Sequence, residues 1–329
     1  MRRSRLTVGP ESIGTYHCVS RIVDKRKVLR TAEKEQFRSL MRELEAFCEV
    51  RVVTYAIMSN HFHILLQVPP RPEVLPSPEE LLVKLAQLSC PVDLDRIRDR
   101  IQSYRKTGDQ LGLEAYLETF YRRMWDLSEF MKQLKQRFTQ WFNAKHHRKG
   151  TLWESRFKSI LIEGRGLALA AVAAYIDLNP VRAGITADPS NYRWCGYAEA
   201  LAGKRRSREG VRIIINALTG KDVPSFPKAH QVYARLLGGK FRQRPRLSHT
   251  EALQVLEDRG RLLLGDFLRC RIRYFTDGLA IGSNDFIETV FFRSRSRFSS
   301  QRRKGARRLK GVENADLYCL RDLRLRVFE

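Results

Sequence analysis

Cysteine is scarce and shows no paired spacing: six residues (Cys18, Cys48, Cys90, Cys195, Cys270 and Cys319) are scattered over 329 positions without a C-x-x-C element. That argues against a zinc ribbon and supplies no disulfide framework, leaving reduced thiols in a cytoplasmic protein as the expectation. Long apolar runs are missing too, so a membrane-spanning segment is not expected. The opening Met1-Arg2-Arg3-Ser4-Arg5-Leu6 is basic but lacks the apolar core of a signal peptide. No fixed-period repeat is visible. Acidic charge is the remaining shortage. Asp and Glu number 36 against 61 Lys and Arg, a net charge of +25. The imbalance is uneven, with 32 basic and 23 acidic residues in 1–200 and 29 and 13 in 201–329. Such an excess favours a polyanionic partner, because each Lys or Arg set on a phosphate releases counterions. Nucleic acid is the expected partner, and a membrane is not.

What is present is enough apolar material for a core, 43% of residues. Thr15–Val23 is rich in β-formers and reads as a strand. Thr31 is positioned to cap a helix whose apolar residues Phe37, Leu40, Met41, Leu44 and Phe47 recur at helical spacing. Arg51–Met58 and His61–Val68 read as strands joined by Ser59-Asn60, a hairpin signal. A second amphipathic helix is expected over Leu127–His146, a strand over Phe157–Glu163, and an Ala-rich helix over Leu167–Leu178 stopped by Asn179-Pro180. The order β-α-β-β-α-β plus a helix predicts an α+β, ferredoxin-like (split βαβ) domain, its antiparallel sheet covered by helices on one face.

Residues 71–126 interrupt this order. After Pro70, Pro72, Pro76 and Pro78 they read as helical (Leu81–Leu88, Asp95–Tyr104, Leu113–Met124), and 9 basic against 10 acidic residues make the insertion nearly neutral. A domain of residues 1–203 containing this insertion is expected to be followed by a basic, mainly helical region, 204–329, acting as a DNA-binding accessory domain. Lys204-Arg205-Arg206-Ser207-Arg208 resembles a linker. Helices are expected around Pro227–Leu237, Ser248–Leu264 and Asn284–Phe292. Arg293–Lys310 then sets nine basic residues and no acid among serines and glycines, either as a solvated tail or as a phosphate surface.

The sharpest chemical feature is His61-Phe62-His63. Strand side chains alternate, so the two imidazoles share a face about 7 Å apart and can grip one cation. Taken alone, a His-x-His is weak. A second feature is Tyr175-Ile176-Asp177-Leu178-Asn179-Pro180-Val181-Arg182-Ala183-Gly184, where Tyr175 and Asn179 lie i and i+4 on a helix and share a face near its end. One is a candidate nucleophile and the other a neutral oxygen ligand; equally, Tyr175 is a core aromatic and Asn179-Pro180 a helix stop. Arg156 and Lys158, two apart on a strand, are candidates for holding phosphate. Trp194 is a candidate for stacking on unpaired bases.

Three segments together, Thr54–Leu66 around His61-Phe62-His63, Gly150-Thr151-Leu152-Trp153-Glu154-Ser155-Arg156-Phe157-Lys158-Ser159, and Tyr175–Gly184, resemble the REP-associated tyrosine transposases of the single-tyrosine HUH (IS200-like) family. They occur in family order and span about residues 14–200. The resemblance implies His61, His63 and Asn179 as ligands of Mg2+ or Mn2+, with Tyr175 as nucleophile. It implies cleavage and strand transfer of single-stranded, hairpin-associated DNA through a 5′-phosphotyrosine. Further DNA contacts are expected from Arg182 and from Arg302, Arg303, Lys304, Arg307 and Arg308 in the basic run. The protein is expected to be cytoplasmic and nucleoid-associated. A homodimer stays open, since one tyrosine per chain needs turnover or a second subunit for two cuts. The sequence departs from the family in the 71–126 insertion and in Glu154, where a Gln is frequent. The rival readings are a sequence-specific DNA-binding regulator that has lost cleavage, a metal-dependent phosphoesterase using water, and an interaction protein acting through its insertion and tail.

Overall fold

The computed structural model describes residues 5–89, 92–238, 247–258 and 260–321; Cys90 lies outside them. Strand β1 is Gly14–Arg21, followed by helix α1, Thr31–Phe47, and the hairpin of β2, Arg51–Ile57, and β3, His61–Val68. The insertion forms α2 (Pro78–Ala86), α3 (Leu94–Thr107) and α4 (Gln110–Tyr121). Then come α5 (Leu127–Lys145), β4 (Lys158–Ile162), α6 (Gly166–Asp177), the short α7 (Asn179–Arg182) and α8 (Gly196–Leu201). Beyond residue 203 lie α9 (Arg205–Thr219), α10 (Phe226–Leu236), α11 (His249–Glu257), α12 (Leu264–Phe267), α13 (Tyr274–Asp277), β5 (Ala280–Gly282), α14 (Asn284–Arg293), β6 (Arg307–Arg308) and β7 (Tyr318–Cys319).

The strand order is β2-β3-β1-β4-β5-β7-β6. Its first four members are mutually antiparallel neighbours, which is the split βαβ arrangement. β5 then joins β4 in parallel, so the C-terminal region is mainly helical but also extends the sheet.

Both faces are covered, rather than one. Phe62, Ile64 and Leu66 of β3 point to the face where Phe37, Met41 and Leu44 of α1 and Leu134 and Phe138 of α5 pack. Leu65 of β3, with Val53, Ala56, Ile160 and Ile162, meets α6 and the Val211, Ile214 and Ile215 face of α9 on the other. The alternation of β3 thus sends its phenylalanine to one core and its histidines to the opposite face. A bulge between Val52 and Thr54 marks where α9 docks. There a Cβ on Gly210 would overlap the Val53 carbonyl oxygen, so only glycine permits that approach.

Several local expectations are corrected. Arg30, not Thr31, is the N-cap of α1; the Glu33 carboxylate reaches back to accept from the Arg30 N–H at 3.1 Å. As expected, α6 stops just before Asn179-Pro180, ending at Asp177 with Leu178 as its C-cap, but the dipeptide is itself helical. It opens α7, because a proline in a first helical turn lacks only an N–H that has no partner there. The stretch at Lys204–Arg208 is no linker: it is the N-cap and first turn of α9. The insertion helices pack their Leu81, Leu85, Ile97, Ile101, Leu113 and Leu117 onto the α1 and α5 side of the core. Among the described residues, no helix is long and apolar enough to cross a membrane.

Candidate active site

His61 and His63 stand on β3, paired with Arg21 and Val19 of β1. Their rings are 5.1 Å apart, centroid to centroid. The side-chain oxygen of Asn60, in the hairpin turn, lies 2.6 Å from His61 Nδ1. On the other side, His63 Nδ1 lies 2.8 Å from Nε2 of His17. Both histidines therefore have Nδ1 occupied, which fixes ring orientation and leaves Nε2 as the other nitrogen. Burial, helped by Arg21, Arg271 and Arg182, lowers the His61 pKa to about 3. Burial and the neighbouring His17 and His61 rings hold His63 well below the ordinary histidine value. Both are neutral at pH 7, the form that offers a lone pair.

His17 escaped the sequence reading. It sits on β1 in the run Thr15-Tyr16-His17-Cys18-Val19, where Tyr16 and Cys18 face the α1 side. That alternation alone puts His17 on the histidine face, so the signal was present in the strand period. Burial lowers its pKa to about 3, against the opposing, raising influence of the Phe275 backbone as acceptor.

Tyr175, on α6, and Asn179, at the start of α7, lie on the same side of the sheet as this cluster. Tyr175 is only 2% exposed, with ring centroids 6.3 Å from His63 and 6.5 Å from His17. Phe275 packs against it at 4.8 Å, and the Arg182 guanidinium lies over the ring, 3.7 Å from its centroid. Arg182 is held there by the Leu268 carbonyl, 3.0 Å from Nη1.

The end of α6 is anchored by Asp177, a carboxylate with 0% exposure. It accepts from the Thr54 hydroxyl at 2.8 Å, the Tyr197 N–H at 3.1 Å and the Tyr233 hydroxyl at 2.6 Å. Burial raises its pKa to about 6 despite these three donors. Asp177 thus ties the segment carrying Tyr175 and Asn179 to β2, α8 and α10.

His61, His63, Tyr175 and Asn179 line one cleft of about 530 Å³. Arg156, Lys158 and Arg182 line it as well, with Arg21, Glu154 and, from beyond residue 203, His249, Arg269, Arg271, Arg273 and Asp277. Arg156 precedes β4 and is exposed; Lys158 bonds Asp277 at 2.8 Å.

The other expected contacts lie elsewhere. Trp194 is half-buried, donating to Glu35 at 2.8 Å under the ammonium of Lys34. The basic run folds against α14. Arg302 stacks on Phe291 and Phe298 and donates to the Gly305 and Leu320 carbonyls, and Glu288 accepts from the Gly305 and Ala306 N–H groups. Arg303, Lys304, Arg307 and Arg308 are exposed beside it.

Comparison with known proteins finds the family described as "Transposase IS200 like" over residues 12–77, the span from β1 to the start of the insertion that holds His61 and His63. No curated protein matches the chain. Among solved structures it is similar to one described as the REP-associated tyrosine transposase bound to a REP hairpin. That match is 13% identical, covers 61% of this chain and 86% of the other, and has a TM-score of 0.40. Over residues 12–77 the chain is similar to the IS200-like transposase family.

Proposed function

We propose that the chain cuts and transfers single-stranded, hairpin-associated DNA, with Tyr175 as nucleophile and His61, His63 and Asn179 as ligands of Mg2+ or Mn2+. The observation that carries this reading is the convergence of these four side chains on one basic cleft. The donor set fits such a cation: two neutral imidazoles with Nδ1 engaged, plus a carboxamide oxygen. Among the described residues no group of three His, Cys, Asp or Glu could hold a metal, so the third protein donor in this reading is the Asn179 amide. When bound, the cation supplies Lewis-acid polarisation of a phosphate oxygen.

In the reaction the Tyr175 oxygen attacks phosphorus. A phosphotyrosyl bond forms, the bond from phosphorus to the 3′ oxygen breaks, and the phenol proton ends on that oxygen as a free 3′-OH. Arg182 keeps positive charge against the tyrosine ring, while Arg156 and Lys158 hold phosphate. Residues 1–203 would carry the chemistry. Residues 204–329 would add duplex or flank contacts through the exposed Arg303, Lys304, Arg307 and Arg308.

A second reading, a sequence-specific DNA-binding regulator without cleavage, draws on the near-complete burial of Tyr175 beneath Arg182 and Phe275. An end-labelled single-stranded hairpin separates the two. The first reading expects cleavage with Mn2+ and none after chelation. Tight binding with no cleavage under any metal favours the regulator.

A further inference from the structure

Seven Lys or Arg side chains and two carboxylates line the cleft. Three of the seven, Arg269, Arg271 and Arg273, come from one short segment between α12 and α13. There the sequence Leu268-Arg269-Cys270-Arg271-Ile272-Arg273-Tyr274 alternates with period two. Leu268, Cys270, Ile272 and Tyr274 are buried in the core shared with α6, and the arginines turn the other way. The apolar alternates lock the segment in place and thereby fix the guanidiniums along one wall. Leu268 also holds Arg182 through its carbonyl. Arg271 lies close enough to His61 and Arg182 to disfavour positive charge on both.

Arg269 donates to the Leu237 carbonyl at 3.4 Å and Arg273 to Asp277 at 3.2 Å, yet like charges gathered around neutral imidazoles still repel one another. The carboxylate on this wall, Asp277, pairs with Lys158 at 2.8 Å and Arg273 at 3.2 Å. Those two contacts bridge β4 to α13 beside the cleft. Arg271 is exposed and lines the same cleft as Tyr175. A chain of phosphates entering the cleft meets Arg156 and Lys158 from the β4 side and, beside them, the arginine segment, with Lys158 and Arg273 sharing the Asp277 carboxylate.

We propose that Arg269, Arg271 and Arg273 form a phosphate clamp, supplied by the C-terminal region, that grips single-stranded DNA in the cleft alongside Arg156 and Lys158. The clamp rests on the reading of the cleft as a single-strand DNA site. It assigns residues 264–277 a part in holding substrate that the run at Arg293–Lys310 does not share.

The test is binding of a fluorescent single-stranded oligonucleotide to the full chain by anisotropy at several salt concentrations. Arg271→Ala should weaken binding and flatten the log–log salt slope by about 0.7, the value for one phosphate contact on a single strand. Arg271→Lys should restore the slope, and Arg98→Ala, on the insertion, should leave it unchanged. Asp277→Asn releases Lys158 and Arg273 from their carboxylate and should tighten binding. A slope for Arg271→Ala equal to that of the unaltered protein overturns the clamp. Should that variant melt early, Arg271→Gln keeps the side-chain bulk and decides by the same criterion. A covalent DNA adduct with no slope change retires the clamp alone. Arginine-dependent binding without any adduct or cleavage retires the nuclease reading and leaves the clamp.

Discussion

His17 Nε2 stands 2.8 Å from His63 Nδ1, with both rings buried on the face of the sheet that meets Tyr175. The bond orients the His63 ring from behind and selects which nitrogen it presents to the cleft. His17→Phe keeps the volume and removes that partner. It should lower Mn2+ affinity about 10–100-fold, the usual cost of losing such a supporting hydrogen bond. Titration calorimetry or the Mn2+ electron-spin signal reads the change; unaltered affinity would mean that His17 is only a packing residue.

Asp177 gives a pH prediction whose sign follows from burial. Its folded-state pKa is raised to about 6, so the fold holds the proton more tightly than the unfolded chain. The associated stability is fully present below the ordinary carboxyl value near 3.8, and it is lost as pH rises through about 6. Asp177→Asn does not titrate. Its amide still accepts from Thr54 and the Tyr197 N–H and donates to the Tyr233 oxygen. Relative to this variant, the unaltered protein should lose about 2 kcal/mol between pH 4.5 and 7.5. Urea unfolding of both proteins at the two pH values checks this, and a constant difference would contradict it.

Gly210→Ala probes how α9 is seated. The added methyl meets the Val53 carbonyl, a backbone atom that cannot swing aside. Overpacking of this kind costs about 1–3 kcal/mol. A melting temperature equal to that of the unaltered protein would show that α9 does not rest on the bulge as described.

Much of the scaffold was legible. The β-α-β-β-α-β order follows from period, and the hairpin Ser59-Asn60 from turn chemistry, because both signals are local. The three insertion helices were readable from their apolar spacing, and Ser77, Asp93 and Asp109 cap them. What escaped depends on long-range packing. His17 looks like any strand residue until β3 is set beside it. The basic start of α9 reads as a linker because Arg206 and Ser207 show their role only against Arg42, Glu45 and Glu199. The arginines at 269–273 have a period but no motif, so nothing local ties them to a cleft whose histidines lie some two hundred positions earlier. The basic run at Arg293–Lys310 carried the opposite signal, strong in charge, while Arg302 in it is occupied with aromatic rings and carbonyls.

The central claim is that Tyr175 attacks DNA, and peptide mapping of the reaction product tests it most directly. The full chain is incubated with Mn2+ and single-stranded hairpin DNA from the flanks of its own gene, denatured, digested with protease and nuclease, and analysed by mass spectrometry. The account predicts a nucleotide linked through a 5′-phosphate to the peptide containing Tyr175, and no linked peptide from Tyr175→Phe, which should still bind the hairpin. A linked nucleotide on Tyr55, Tyr121 or Tyr197, or cleavage by Tyr175→Phe at the unaltered rate, would contradict it.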